Sequence, residues 1–260
     1  MGEFVRLEVD QDSGVATMRL DRPPMNALNT QLWREIGEVA AEAEDREDVR
    51  AVVLWGGPKI FAAGADIKEL DTLSSQDYRR FGKHLQESFA AVAGLSKITI
   101  AAINGPAVGG GCELALAADL RFVADDVILG QPEILLGIIP GAGGTQRLQR
   151  LIGLGAAKDL VLTGRRVDAQ EALRLGLANR VYPAGEVYDQ AVASAETFAA
   201  GPYALRLAKH ALDAGGEMAL ADALRLETEL ISACFDTEDA KIGFRSFQDH
   251  GPGKAEFVGS

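Results

Sequence analysis

Two cysteines and three histidines are all the soft-ligand and redox chemistry that this 260-residue chain carries. Cys112 and Cys234 are too few for a disulfide framework, so a reducing compartment is expected. His84, His210 and His250 are scattered and form no Cys/His cluster, so no metal site is read from the sequence. Cationic charge is also short. The 26 Lys and Arg against 38 Asp and Glu leave a net charge of −12, which argues against bulk attraction to nucleic acid or an anionic membrane. An anionic ligand would have to find local cations or helix N-termini. No apolar run is long and charge-free enough to span a membrane, and Glu3, Arg6, Glu8 and Asp10 break up any signal-like segment at the start. The expected location is the cytoplasm. Internal repeats, low-complexity tracts and long linkers are missing, as are the Lys-Ser/Thr of a phosphate loop behind Gly105–Gly111 and a G-x-S-x-G elbow.

What is present describes an ordinary globular protein, 47% hydrophobic and 25% charged, long enough to bury a sizeable core. Phe4–Asp10 and Val15–Leu20 alternate like paired strands, and Asp21-Arg22-Pro23-Pro24 must be loop. A helix is predicted from about Thr30, with Leu32, Ile36, Val39, Ala40 and Ala43 on one face. Ala51–Trp55 suits a buried parallel strand, and a second helix over about Gln76–Ala93 has Ser74 or Ser75 as its cap. Strand and helix alternation gives βαβ units through the first half. After Val181 the pattern is nearly all helical, with Gly201-Pro202 as a stop and restart. This predicts an α/β core over residues 1–183 and a helical region over 184–260.

The most informative stretch is Ala101–Leu148. An apolar strand-like run ending at Ile103 meets the turn Asn104-Gly105-Pro106. Gly109, Gly110 and Gly111 follow, and then an Ala/Leu-rich helix over Cys112–Ala118. Glycines between strand and helix let backbone N–H groups reach a ligand, at a helix end that favours negative oxygen. Glu113 lies one turn inside this helix. Glu133 stands alone in the apolar run Ile128–Ile139. Two isolated carboxylates beside a backbone anion hole suggest acid/base work on a substrate whose oxygen becomes negative. A second small-residue loop, Phe61–Lys68, follows strand Ala51–Trp55. If the two strands are neighbours, one N–H from each loop can pinch a single carbonyl oxygen.

FAAGADIKEL, NGPAVGGGCELALAADLRF and GQPEILLGIIPGAGGTQRL together resemble the crotonase superfamily, and within it the enoyl-CoA hydratases. The likeness runs from Asp21-Arg22-Pro23, through LTGRRVDAQEALRLGLANRV, to the last helices. It implies a β-β-α spiral core with a helical C-terminal trimerisation region, a homotrimer or dimer of trimers, and an acyl-CoA thioester substrate. No cofactor is implied, because coenzyme A is part of the substrate. The resemblance further implies that the N–H groups of Ala65 and Gly110 form the oxyanion hole. Glu113 is the base activating water, and Glu133 is the acid protonating Cα. The backbone of Gly141 helps to hold the water, and Ala63, Ile67 and Lys68 line the CoA path. Glu113, inside a helix N-terminus, is expected to ionise more readily than Glu133.

Asp66 and Asp119 read as structural, and Cys112, with no histidine partner, as packing rather than nucleophile. Two departures from the family pattern, Pro23-Pro24-Met25 and the tail after Phe247, leave the CoA-phosphate contact open among Arg22, His250 and Lys254. Leu70, Leu73 and Leu85 either line the acyl pocket or belong to the core. The alternatives are double-bond isomerisation, which needs only one well-placed base, an RNA-binding homologue, which needs a basic helix face, and an inactive structural trimer. The first helix, Gln31–Glu38, is mixed to acidic and argues against RNA. The glutamate pair argues against an inactive trimer.

Overall fold

Buried apolar strands set out the frame of the computed structural model, which describes residues 2–260. β1 (Val5–Asp10) and β2 (Val15–Leu20) form an antiparallel pair, after which every neighbour in the main sheet is parallel. The order is β1-β2-β3-β4-β6-β9, with β3 at Ala51–Trp55, β4 at Ile98–Ile103, β6 at Leu120–Ala124 and β9 at Arg180–Tyr182. A smaller sheet joins β5 (Ala107–Val108), β7 (Ile128–Gly130) and β8 (Arg166–Asp168). Because β5 follows β4 and β7 follows β6, successive turns of the chain contribute to both sheets, as a β-β-α spiral requires.

The helices form where capping and apolar spacing agree. α1 (Thr30–Asp45) is capped by Asn29, whose side chain accepts the Leu32 N–H at 3.0 Å, and it buries Leu32, Trp33, Ile36, Val39, Ala40 and Ala43. α2 is the short turn Ile67–Leu70. α3 (Ser75–Ala93) starts from a capping box in which Ser74 and Asp77 satisfy one another's backbone N–H. α4 covers Gly110–Ala115, and a 3-10 turn covers Pro132–Leu136. α5 (Gly144–Ile152), α6 (Leu154–Thr163) and α7 (Ala169–Leu175) lead to β9, and the chain finishes in α8–α11. No helix among the described residues is long and apolar enough to cross a membrane.

The helical end is of two kinds. α8 (Val187–Ala199) lies on β2, β3, β4 and β6 and buries Val187, Ala191, Ala195 and Ala199. In α9 (Ala204–Gly215), α10 (Leu220–Asp236) and α11 (Glu238–His250), the only buried side chains are Lys209 and Asp239. Lys209 ties α9 to the core, donating to the Lys97 carbonyl at 3.1 Å and to Asp119 at 2.7 Å. Asp119 also accepts the backbone and hydroxyl of Thr99, the structural role expected of it.

Two boundaries depart from the sequence reading. α4 begins at Gly110 and ends at Ala115, so two of the three glycines lie inside it. Gly109, in the left-handed region at φ 57°, makes the turn into the helix. α9 begins at Ala204. Pro202 instead heads a single turn, its carbonyl accepting the Leu205 N–H, while Asp239 of α11 accepts the Tyr203 N–H at 2.8 Å.

Candidate active site

The parallel register of β3 and β4 pairs Ala51 with Ile98 and Trp55 with Ala102, so the loops that follow them emerge side by side. They are stitched by a bridge between Ala62 and Ala107, with the Val108 N–H donating to the Ala62 carbonyl at 3.3 Å. Buried Asn26 braces the first loop, its amide donating to the Gly56 and Phe61 carbonyls at 2.8 and 3.0 Å. Asp66 caps α2 by accepting the Lys68 N–H and is held by Arg22 at 2.8 Å, again a structural role.

The N–H groups of Ala65 and Gly110 are among those of these loops that have no acceptor among the described residues. They lie close together: a Cβ built on Gly110 would sit 3.6 Å from the Ala65 nitrogen. Both residues line a cavity of about 360 Å³, and so do Glu113, Glu133, Ala63, Ile67, Leu70, Leu85 and Gly141. The two carboxylates flank the Gly109-Gly110 turn. A Cβ on Gly109 would be 3.0 Å from Glu133 Oε1, and one on Gly110 3.9 Å from Glu113 Oε2. A side chain at either glycine would enter the space between the carboxylates.

Glu113 is 3% exposed, and its Oε1 accepts the N–H groups of Ala142 and Gly144 at 2.8 and 2.7 Å. Burial pushes its carboxyl above the ordinary glutamate value, while those two donors and the Arg147 charge pull it back. The ionised form is therefore held by the loop before α5 and by the first residue of α5, rather than by the six-residue α4 whose N-terminus the sequence pointed to. Glu133 is less buried but has no such pair of backbone donors. Burial and then the neighbouring Glu113 charge push it up to about 7. With its amide nitrogen turned toward Glu133, buried Gln131 donates to both of its oxygens at 3.1 and 3.2 Å. The site thus pairs Glu113, whose carboxyl accepts two backbone N–H groups, with Glu133, whose carboxyl is pushed up toward neutral pH by burial and by its neighbour. Cys112 beside them is buried, its thiol pushed up to about 12 by burial, which fits packing and not nucleophilic chemistry.

The remaining sequence candidates divide. Lys68 is exposed and does not line the cavity. Arg22 is engaged with Asp66 and the Ala27 carbonyl, and His250 and Lys254 lie at and beyond the end of α11, away from the cavity. Leu73 packs against the core. Sequence reading missed Ala142, Gly144, Gln131 and Tyr78, which meet the site from other elements. The first two act through backbone, which carries no side-chain signature. Gln131 stood within the quoted GQPEILLG run.

A β-β-α spiral whose paired strand-end loops meet over two carboxyls is the crotonase fold. The model of the enoyl-CoA hydratase/isomerase family matches residues 10–257. The chain belongs to that family. "Probable enoyl-CoA hydratase echA8" of Mycobacterium bovis is 43% identical over 247 residues, covering 94% of this chain and 95% of that protein. An enoyl-CoA hydratase structure from Geobacillus kaustophilus superposes with a TM-score of 0.95 at 34% identity, covering 100% and 98% of the two chains. One from Bacillus anthracis does so at 0.89 and 37% identity, covering 95% and 96%.

Proposed function

We propose that the protein is an enoyl-CoA hydratase, adding water across the double bond of a trans-2-enoyl-CoA to give a 3-hydroxyacyl-CoA. The observation that carries this reading is the asymmetry of the two carboxyls over one pair of N–H donors. Glu113 takes a proton from water as the oxygen attacks C3. Electron density moves through the conjugated system onto the thioester oxygen, where the Ala65 and Gly110 N–H groups stabilise it. As the carbonyl re-forms, Glu133 gives its proton to C2. Glu113 has gained a proton and Glu133 lost one, so exchange with solvent resets the pair. One fixed donor to such an oxygen is typically worth ~3 kcal/mol in the transition state. The Gly141 backbone, on the cavity wall, is assigned to holding the water, and Ala63, Ile67 and Lys68 to the CoA path. Both carboxyls facing one cavity favour hydration over isomerisation, which needs a single base.

No cofactor enters this chemistry, and the CoA part is substrate. The same reading places the enzyme in the cytoplasm, in fatty-acid oxidation of the β type. It also makes the protein a homotrimer or dimer of trimers joined through α9–α11. Support comes from Leu220, Leu224, Ile231 and Phe235, which fall on one stripe of α10 and are all exposed in the single chain.

Loss of the enoyl-thioester absorbance of crotonyl-CoA tests the chemistry. Wild type should hydrate it, and Glu113→Gln and Glu133→Gln, each folded, should lose at least ~100-fold in kcat. A wild-type protein inert on short and long enoyl-CoAs alike would overturn hydration.

A further inference from the structure

Tyr78 is an aromatic hydroxyl inside the cavity for which the chemistry above has no use. It belongs to a stripe of α3, Tyr78, Phe81 and Leu85, that forms one wall. The ring is held in place. Its backbone N–H donates to the Ser74 carbonyl in the capped first turn at 2.9 Å, and its ring lies 5.7 Å from Phe81. Phe81 in turn packs edge-on against Trp33 of the core at 5.7 Å.

The hydroxyl reaches across to the opposite wall. A Cβ on Gly141 would collide with it, so the phenol tip rests against the Gly141 backbone. Gln86, farther along α3, donates to the Gly141 carbonyl at 2.8 Å. The Gly141 loop is thus met from α3 at two points, and the phenol, itself 37% exposed, narrows the slot between these walls. Tyr78 lines the same cavity as Glu113 and Glu133, whose charges, after burial, raise its pKa. Those carboxylates flank C2 and C3 of the thioester on the hydratase reading. An acyl chain continuing beyond C3 along α3 therefore meets the phenol almost at once. Because the phenol is exposed to this extent, a passing alkyl chain would strip its hydroxyl of water and offer nothing in return.

We propose that Tyr78 is the acyl-length gate of this site, narrowing the slot between α3 and Gly141 so that the pocket selects short-chain 2-enoyl thioesters. The inference rests on the hydratase reading for the position of the acyl chain. Each methylene that finds a buried place is worth roughly fourfold in affinity, and a narrowed slot forfeits that gain.

The test compares wild type, Tyr78→Phe and Tyr78→Ala. The first measurement is kcat/KM on enoyl-CoAs of increasing chain length from crotonyl-CoA to dodecenoyl-CoA. The second is calorimetric affinity for saturated butanoyl- and dodecanoyl-CoA, which needs no turnover. Wild type should favour the short chain, and Tyr78→Ala should shift both dodecyl-to-butyl ratios toward the long chain by at least ~10-fold. Tyr78→Phe, which keeps the ring, should shift them much less. Should the alanine variant fail to fold, Tyr78→Leu reads the same ratios. A wild-type preference for the long chain, or ratios unmoved by ring removal, overturns the gate. If no enoyl-CoA turns over but the calorimetric ratio still moves, hydration fails and the gate stands. If no CoA thioester binds, both fail.

Discussion

The α/β core and the last three helices solve the same stability problem in opposite ways. In the core, apolar strands β3 and β4 are covered on all sides, and even the catalytic loops are stitched by backbone bonds. In α9–α11 the apolar side chains Leu212, Leu220, Leu224, Phe235, Phe244 and Phe247 face outward, and the buried residues are a lysine and an aspartate. On the trimer reading, the region that hides its charges and shows its leucines is completed by another surface, whereas the core is complete alone. The site sits in the self-sufficient half, where a misplacement of one ångström is hardest to make.

Breaking the link between the halves should have the largest effect on stability. Lys209→Met leaves the partly buried Asp119 with Thr99 but without its cation, and losing one partner of such a pair costs up to about 3 kcal/mol. Urea unfolding should show that loss, with α9–α11 becoming susceptible to protease before the core does. The pair Leu224→Glu and Ile231→Glu sharpens the contrast from the other side. Sedimentation should show the assembly falling to single chains, while near-UV dichroism of the core is retained. An unchanged molar mass would mean that α10 is not the joining face.

The smallest expected effect lies within the site. The Glu133 carboxyl is held near 7 in the folded chain against an ordinary 4.5, so between those values the folded state binds more protons than the unfolded one. Stability is then lost as pH rises through that window. Glu133→Gln removes the penalty. Its Tm should exceed wild type at pH 8 by up to ~7 °C if the whole shift from 4.5 to about 7 is expressed, and match it below pH ~4.5, read by calorimetry. A gain independent of pH would assign it to packing instead.

Much of this was legible in the residues. The helix from about Thr30 was readable because Leu32, Ile36, Val39, Ala40 and Ala43 share one face, and β3 and β4 because their short apolar runs suit a covered strand. Glu113 and Glu133 stood out as charges in apolar runs. What was hidden came from groups without a side-chain code or from distant elements. The donors that hold Glu113 are the backbone of Ala142 and Gly144, some thirty residues on. Tyr78 carried no signal of its own, and only the fold sets it against Gly141. The helix N-terminus invoked for Glu113 is not what holds it. A helix as short as α4 supplies little field, and a loop folded back over the carboxylate does the holding.

Cys112 gives the site a clock. The thiol is one residue from Glu113, 1% exposed, and kept protonated by burial, so in the closed chain it is out of reach and unreactive. An alkylating reagent meets it only when α4 lifts from its bed, and that movement carries Glu113 away from Ala142 and Gly144. The half-time for labelling Cys112 therefore counts how often the catalytic arrangement comes apart and re-forms, without any substrate being present.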